Sequence, residues 1–455
     1  MKRQLHLNLF IHGRGHHEAS WRHPATSPLA LTDIRYYVDV AQRAEAALFD
    51  SIFLADQLAV GGDVAQAPRT WLEPITVLAA LAMATQRVGL IATASTTYTE
   101  PFNLARQFAS IDHISNGRAA WNIVTSWLAT AAENFGAAGQ VSHGDRYDRG
   151  EEFMEVVNQL WDSWADDAVI DDRASGIYAR PDRIRRINHR GDFYSVAGPL
   201  NMPRCPQGRP VLVQAGSSDT GRRFAARHAD AVFTAQMAKE VAQEFYADLK
   251  RLAAEGGRSP EHILILPGLS PMIASTEAEA QRLAREVNDL TDPEVGRKRL
   301  SGRFGGHDFT HLPLDRPLVP EDFPSPETVQ AARSRTEVII DLVRRDKPTL
   351  RQLLGYLAGA RGHYVTVGTP EQIADLIEDW FNTGAADGFN VMPPLLPAQL
   401  DAFSKGVIPI LQQRGLFRTE YIGKTLREHY NLPRTASIFD DPAWTGQLQE
   451  SAAGV

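Results

Sequence analysis

Three histidines, His12, His16 and His17, follow the first apolar run of the chain, LHLNLFI (5–11). Metal-dependent hydrolases place two histidines one residue apart on such a strand and take further His and Asp ligands from later strand ends. Here His16 and His17 are adjacent, so as strand residues they would face opposite sides. No histidine ends a later apolar run. We therefore predict no catalytic metal, and the simplest alternative is that these histidines lie in a surface loop.

A second candidate is the segment Gly216-Ser217-Ser218-Asp219-Thr220-Gly221, between an apolar run and a helical stretch. Backbone N–H groups at a helix N-terminus and Ser hydroxyls together form a site for an anion such as phosphate. His143 and Tyr147, at the start of another predicted helix, could add donors to the same phosphate. Ser and Asp are also ordinary N-cap residues, so a capped helix without a ligand is the alternative.

The other polar candidates end apolar runs. Asp56 ends FLAD, where a carboxylate either caps a loop or accepts from a polar ligand. Thr93 and neighbouring hydroxyl residues end the third run, and Asn122 lies in the fourth. Trp121 and Asn122 alternate, so one should line the interior and the other pack beneath a helix. These residues predict a polar, mostly uncharged site.

The elements that position these residues alternate along the chain. Continuous apolar runs, typical of strands buried on both faces, are followed by amphipathic helical stretches such as 32–49, with Thr32 as its predicted N-cap. Eight such units predict an α/β fold of the (β/α)8 barrel type, in which polar side chains at the carboxyl ends of strands meet. An open doubly wound sheet is the alternative, although no GxGxxG follows the first strand. The predicted strands are 5–11, 51–56, 88–96, 119–126, 210–216, 230–236, 263–274 and 388–394.

Three segments lie outside this alternation within a single barrel domain, 1–455. The insertion 165–209 follows strand four and contains a strand-like stretch, 192–196. The longer insertion 291–365 follows strand seven, and we expect it to be an active-site lid. The alternative is an oligomer contact, because its helices carry apolar faces. The C-terminal extension 416–455 is aromatic and charged, so we expect it to pack on the barrel or on a partner subunit.

Composition excludes several classes of protein. The 455 residues carry a formal net charge of −8 and no long basic run, which argues against nucleic-acid binding. The single cysteine, Cys205, excludes an intrachain disulfide and a Cys-based zinc cluster, and it predicts a reducing, cytoplasmic compartment. No apolar stretch reaches the roughly 20 residues that a membrane span needs.

Long collinear motifs carry a resemblance that covers nearly the whole chain. They run from GHHEASWRHP (15–24) to PILQQRGLFRTEY (409–421) and include FLAD (53–56), HGDRYDRGEEF (143–153) and DGFN (387–390). Two longer motifs are the whole segments 96–126 and 198–233. Together they resemble the nitrilotriacetate and dibenzothiophene-sulfone monooxygenase family, a branch of the bacterial-luciferase-like flavin monooxygenases.

The resemblance implies a (β/α)8 barrel that binds reduced FMN from a separate NAD(P)H:flavin reductase and oxygenates a small organic substrate with O2. A homodimer or homotetramer is expected. By the same resemblance His17 is the catalytic residue, and the flavin contacts are Asp56, Thr93, Asn122, His143, Tyr147, Ser217 and Ser218. The second insertion departs from the family at His307 and His311, so its lining residues do not transfer. The substrate class stays open, as does hydride transfer with a flavin or deazaflavin, or flavin binding without oxygenation.

Overall fold

Eight parallel strands close into a barrel in this computed structural model, which describes residues 3–60, 64–65, 67–126, 129–136, 143–325, 333–360 and 362–441. The barrel strands are β1 (His6–Ile11), β2 (Ser51–Leu54), β3 (Gly89–Ser95), β4 (Ala119–Val124), β9 (Val211–Gln214), β10 (Ala231–Thr234), β11 (Leu264–Ile273) and β13 (Gly388–Val391). They pair in the order β1-β2-β3-β4-β9-β10-β11-β13, and β13 pairs again with β1. The predicted (β/α)8 barrel is therefore confirmed, and the open sheet is wrong.

Alternation along each strand separates the barrel interior from the layer beneath the helices. Phe10, Phe53 and Phe233, from three different strands, pack together inside the barrel with ring centroids 4.5–5.7 Å apart. Trp121 faces outward and packs against Phe108, Trp161 and Phe153 of the helices, whereas its neighbour Asn122 faces inward. The predicted division between Trp121 and Asn122 is confirmed.

Helices form the outer layer, and none of those in the described part of the chain is long and apolar enough to cross a membrane. The first helix begins after Asp33, whose carboxylate accepts from the Arg35 N–H, so the predicted N-cap Thr32 is wrong by one residue. The helices are α1 (Ile34–Ala46), α2 (Pro74–Ala84), α3 (Pro101–Ile114), α4 (Ala129–Glu133), α5 (His143–Trp161), α6 (Asp219–His228), α7 (Lys239–Glu255), α8 (Glu277–Asp289), α9 (Pro293–Arg303), α10 (Arg333–Asp346), α11 (Leu350–Ala360), α12 (Pro370–Asn382), α13 (Ala398–Ala402), α14 (Ile408–Gln413) and α15 (Leu426–His429).

The segment between α5 and β9 forms two small antiparallel hairpins. The first pairs β5 (Val169–Asp172) with β6 (Ile177–Ala179), and the second pairs β7 (His189–Arg190) with β8 (Ser195–Val196). Only the last two residues of the strand-like stretch 192–196 are therefore paired.

The segment between α8 and β13 has an apolar cluster of its own, drawn from α9, α10, α11 and the turns between α9 and α10. Phe304 and Phe309 lie at its centre with their rings 5.7 Å apart. Ile339 and Leu342 of α10 are buried in the same cluster. A ninth parallel strand, β12 (Tyr364–Gly368), pairs with the outer half of β11 and was not predicted.

The C-terminal segment packs across the amino-terminal end of the barrel. Leu426 and Tyr430 join the interior cluster, and the Tyr430 hydroxyl donates to Asn8 Oδ1 over 2.8 Å. Arg418 contacts the fully buried Asp50, and Arg427 Nη2 lies 2.8 Å from Asp230 Oδ2. This segment therefore closes one end of the barrel and leaves the carboxyl ends of the strands as the open end.

Candidate functional site

The predicted site residues lie in, or in the segments that follow, five neighbouring strands at the open end of the barrel: β1, β2, β3, β4 and β9. Because parallel strands end at the same edge, side chains that follow them face a shared mouth. Two groups of contacts form among these residues. One joins Asn122 to Thr93, and the other joins Tyr147 to Ser218.

Asn122 and Thr93 are register partners on β4 and β3. Asn122 Nδ2 donates to Thr93 Oγ1 over 2.9 Å, and both side chains are buried, at 3% and 5% exposure. The other amide atom, Asn122 Oδ1, is buried and has no hydrogen-bond partner among the described residues. A buried acceptor without a partner costs about 1–3 kcal/mol, so Oδ1 is suited to receive a donor from a ligand.

Ser218 and Tyr147 form a narrow cradle at the start of α6. Ser218 Oγ accepts from the Gly221 N–H over 3.1 Å as the N-cap of this helix. The Tyr147 hydroxyl is hydrogen-bonded to the side chains of Ser218 and Thr125. A Cβ on residue 221 would lie 3.0 Å from Tyr147 Oη and 3.1 Å from Ser218 Oγ, so a side chain larger than that of Gly221 would have to displace these two hydroxyls slightly. The exposed end of a helix dipole and three hydroxyls suit a phosphate.

Ser217 and His143 are the other two residues of the predicted phosphate site, and the structure gives their positions in the chain. Ser217 is half-buried and precedes the N-cap, and His143 is the first residue of α5, four residues before Tyr147. The side chain of His143 lies outside the described part of the chain, so its predicted contact stays a prediction.

Asp56 lies at the mouth just beyond the end of β2. Its carboxylate accepts from the Gln57 N–H over 2.8 Å and is hydrogen-bonded to the indole N–H of Trp71. Burial raises the pKa of Asp56 above its usual range, and nearby Glu73 raises it further. The ring of Trp71 lies 6.0 Å from that of His12, which links Asp56 to the loop after β1.

His17 is buried, with 3% of its surface exposed, and His16 is fully buried, so the surface-loop alternative is wrong. The loop is pressed against residues 393–394: the His16 N–H donates to Pro393 O over 2.9 Å. His17 Nδ1 accepts from the Ala19 N–H over 3.1 Å, and Nε2 lies 3.0 Å from Asn288 Oδ1. Burial lowers the pKa of His17, and the hydrogen bond to Asn288 only partly offsets this effect. The ring is therefore neutral, with its proton on Nε2.

His17 also lines a pocket that the sequence did not predict. We call it the arginine pocket, because Arg14, Arg69 and Arg299 contribute to its wall; it is lined by residues 12–15, 17–18, 20, 67–69 and Arg299. Arg14 and Arg69 follow β1 and β2, and Arg299 comes from α9. The only signal in the sequence is that Arg14 and Arg69 belong to loops that follow predicted strands.

No group of three or more His, Cys, Asp or Glu side chains in the described ranges could hold a metal ion. His12 and His16 do lie near each other, with ring centroids 5.6 Å apart. His16 Nε2, however, lies 2.8 Å from the carbonyl oxygen of Phe10, so that nitrogen is used within the protein.

A family model described as luciferase-like monooxygenase matches residues 10–387. The chain belongs to the luciferase-like monooxygenases. The resemblance inferred from the motifs is thereby confirmed, and with it the classification of this family member as an oxygenase enzyme. The match begins in β1 and ends at the residue before β13, so it spans the whole site described above.

Two relatives are similar over nearly their full length. N-acetyl-S-(2-succino)cysteine monooxygenase of Bacillus subtilis (strain 168) is 48% identical over 438 residues, covering 96% of this chain and 99% of the relative. Nitrilotriacetate monooxygenase component A of Aminobacter aminovorans is 46% identical over 453 residues, covering 97% and 99%.

A solved structure of riboflavin lyase, with a modified FMN and the substrate riboflavin, has a TM-score of 0.82 and 32% identity over 94% of this chain and 95% of that one. The family and this complex support a flavin cofactor. The site of this chain fits one: Asn122 Oδ1 offers a buried acceptor, and the Ser218–Tyr147 cradle offers donors for a phosphate.

Proposed function

We propose that this luciferase-like family member is an FMN-dependent monooxygenase. It receives reduced FMN from a separate NAD(P)H:flavin reductase and uses O2 to oxygenate a small organic substrate. The observation that carries the proposal is the pair of sites at one barrel mouth, a buried acceptor at Asn122 and a single-phosphate cradle at Ser218. The name of the Aminobacter relative, "component A", supports a second protein component.

In this proposal each predicted residue has one task. Asp56, Thr93 and Asn122 orient the flavin ring, while Ser217, Ser218, His143 and Tyr147 hold the phosphate. When bound, reduced FMN supplies the electrons that activate O2. We assign proton exchange with the reacting groups to His17, whose Nε2 proton is held by Asn288 Oδ1 in this structure, so the exchange requires that this hydrogen bond opens.

The helices around residues 291–365 exclude water from the mouth. Two contacts anchor the loop of His17 to this region: the Glu18 N–H donates to Ala358 O over 2.9 Å, and Arg299 contacts Glu18. Asn288, which contacts His17, belongs to the preceding helix α8. A catalytic loop fixed by a lid couples lid closure to the position of the proton donor.

Oxygen uptake tests the proposal. The purified protein with FMN and NAD(P)H alone should consume neither NAD(P)H nor O2 beyond the blank. Addition of a flavin reductase and a substrate panel should start substrate-dependent O2 uptake with incorporation of labelled oxygen into product. Hydride transfer to a substrate without O2 consumption would establish the alternative, and steady NAD(P)H consumption without reductase would exclude a separate reductase.

A further inference from the structure

Two histidines of the loop after β1 are held in the same way by their own backbone. His17 Nδ1 accepts from the Ala19 N–H over 3.1 Å, and His23 Nδ1 accepts from the Ala25 N–H over 3.1 Å. A neutral imidazole whose Nδ1 accepts a hydrogen bond carries its proton on Nε2. The two rings therefore both direct Nε2 away from their own loop.

The groups that meet these two nitrogens lie on the last turn of α8 and differ in charge. His17 Nε2 lies 3.0 Å from Asn288 Oδ1, whereas His23 Nε2 lies 3.4 Å from Glu286 Oε1. His17 thus faces a neutral amide where the neighbouring histidine faces a carboxylate. A neutral acceptor holds the Nε2 proton without the full charge that would favour an imidazolium.

The amide of Asn288 meets His17 in a defined orientation. Because Nδ1 of the neutral ring is an acceptor, Nε2 is a donor, so the amide atom opposite it is Oδ1 rather than Nδ2. The contact also crosses a boundary in exposure, since His17 is 3% exposed and Asn288 is exposed on the surface of α8. Asn288 therefore covers the nitrogen that carries a buried proton.

We infer that Asn288 is a positioning residue for His17, which holds the Nε2 proton and shields it from solvent. The catalytic importance of this role rests on the proposed function, whereas the role itself rests on the contacts of the two side chains. An exposed side chain changes rotamer faster than a loop moves, so rotation of this amide is the motion that opens Nε2 to another group. The amide thus regulates access to the proposed proton donor.

Several groups besides Asn288 act on the pKa of His17. Burial has the largest effect and lowers it, the hydrogen bond to Asn288 raises it, nearby Glu18 raises it and nearby His23 lowers it. Three arginines line the same pocket: Arg14, Arg69 and Arg299. A change of charge at position 288 must therefore be compared with a change of charge close to it on α8.

Histidine NMR of the full-length protein, with and without FMN, tests the inference. Isotope labelling reports on all 14 histidines, and the spectrum of His17→Gln identifies the signals of His17. In the wild type we expect a neutral ring whose Nε2 proton exchanges slowly with water. Asn288→Ala should speed this exchange by about 10-fold or more, because the proton loses its acceptor and its cover.

Asn288→Asp keeps an acceptor at this position and adds a charge. It should retain slow exchange and raise the pKa of His17 by about one unit, the lower end of the effect of a close opposite charge, because position 288 is exposed. Glu286→Gln is the matched control: it removes a charge from the same turn and should leave the exchange and pKa of His17 unchanged. Thermal unfolding should match the wild type in all three variants.

Three results would overturn the inference. The Nε2 proton of His17 exchanges equally fast in the wild type and Asn288→Ala, the pKa of His17 is unchanged in Asn288→Asp, or Glu286→Gln shifts that pKa as much as Asn288→Asp does. Coupled product formation with a reductase should also shift its pH profile upwards in Asn288→Asp. If the NMR results hold and this profile does not move, the proposed role of His17 in turnover fails while its positioning by Asn288 stands.

Discussion

Asn122 and Thr93 face each other across β4 and β3, and one amide serves two purposes there. Nδ2 donates to Thr93 Oγ1 over 2.9 Å, which orients the amide, while Oδ1 lies buried without a partner among the described residues. The strand pair thus presents a pre-oriented acceptor at the barrel mouth at some cost to stability.

Asn122→Leu should weaken FMN binding about 10- to 100-fold, because the ligand loses its acceptor. The free energy of unfolding should stay the same or rise, since a buried unpaired atom is removed. Fluorescence titration of FMN and urea unfolding measure the two effects. Trp121→Phe, one residue away but facing the helices, is the control: it should lower stability and leave FMN affinity unchanged. The reverse pattern would place Asn122 outside the flavin site.

Ser218→Ala should weaken binding of FMN and not that of riboflavin, which lacks the phosphate. The variant removes one cradle hydroxyl and the N-cap of α6, a change that also costs about 1 kcal/mol of stability. The wild type should prefer FMN over FAD, because the cradle holds one phosphate. Titrations with the three flavins provide the measurement, and equal losses for riboflavin and FMN would contradict the placement of the phosphate.

His17→Ala should keep flavin affinity and lose oxygenation by about 10²–10⁴-fold, the usual contribution of general acid–base catalysis. The reason is its separation from the cradle: its ring contacts Ala19 and Asn288. Coupled product formation with a reductase is the readout. Normal turnover would make His17 a bystander, and loss of FMN binding would place it at the flavin instead.

Phe309→Ala should uncouple oxygen use from product formation. The ring is 1% exposed at the centre of the cluster that holds α9, α10 and α11 together, so its loss costs about 3–5 kcal/mol within this region. Hydrogen peroxide release should rise and coupled product should fall, with unchanged FMN affinity. Phe245→Ala, a comparable loss in α7, is the control. Dissociation of subunits with coupling intact would favour the oligomer-contact alternative.

His429→Gln should make stability less dependent on pH between about 6.5 and 4. Burial, and secondarily the positive charge of Arg418, lower the pKa of His429 to about 4. The unfolded chain therefore binds a proton that the folded one does not, and stability falls as pH falls through this window, by about 2 kcal/mol between pH 7 and 5. Urea unfolding at both values measures the difference between the two proteins.

A buried carboxylate acts in the opposite direction over the same range. Burial raises the pKa of Asp112 to about 7. The folded protein therefore holds a proton there that the unfolded chain has lost, and its free energy of unfolding falls as pH rises from about 4 to 7. Its contribution is common to the wild type and the variant and cancels in their difference. An unchanged pH slope in His429→Gln would mean that His429 titrates normally.

The barrel was predictable because its strands are buried on both faces, which makes each a continuous apolar run with helices between. All eight were predicted within a few residues. The strand β12 was not, because it lies at the edge of an insertion and pairs only with the outer half of β11.

The hydrogen-bonded start of α6 was predictable because its motif is local, with Ser218 and Gly221 three residues apart. The arginine pocket was not, since Arg14, Arg69 and Arg299 come from three distant segments that only the closed fold brings together. Whether Asn122 Oδ1 has a hydrogen-bond partner likewise depends on all the atoms around it in the folded protein, and no sequence pattern encodes that arrangement.

The hydrogen bond from Tyr430 to Asn8 joins residues 422 positions apart and has a consequence for synthesis on the ribosome. The first strand leaves the exit tunnel long before the tyrosine that will close the barrel beneath it has been translated. Even after β13 has emerged, the nascent barrel exposes an apolar opening where Leu426 and Tyr430 belong. Translation of these late residues, rather than of the last barrel strand, completes the native interior.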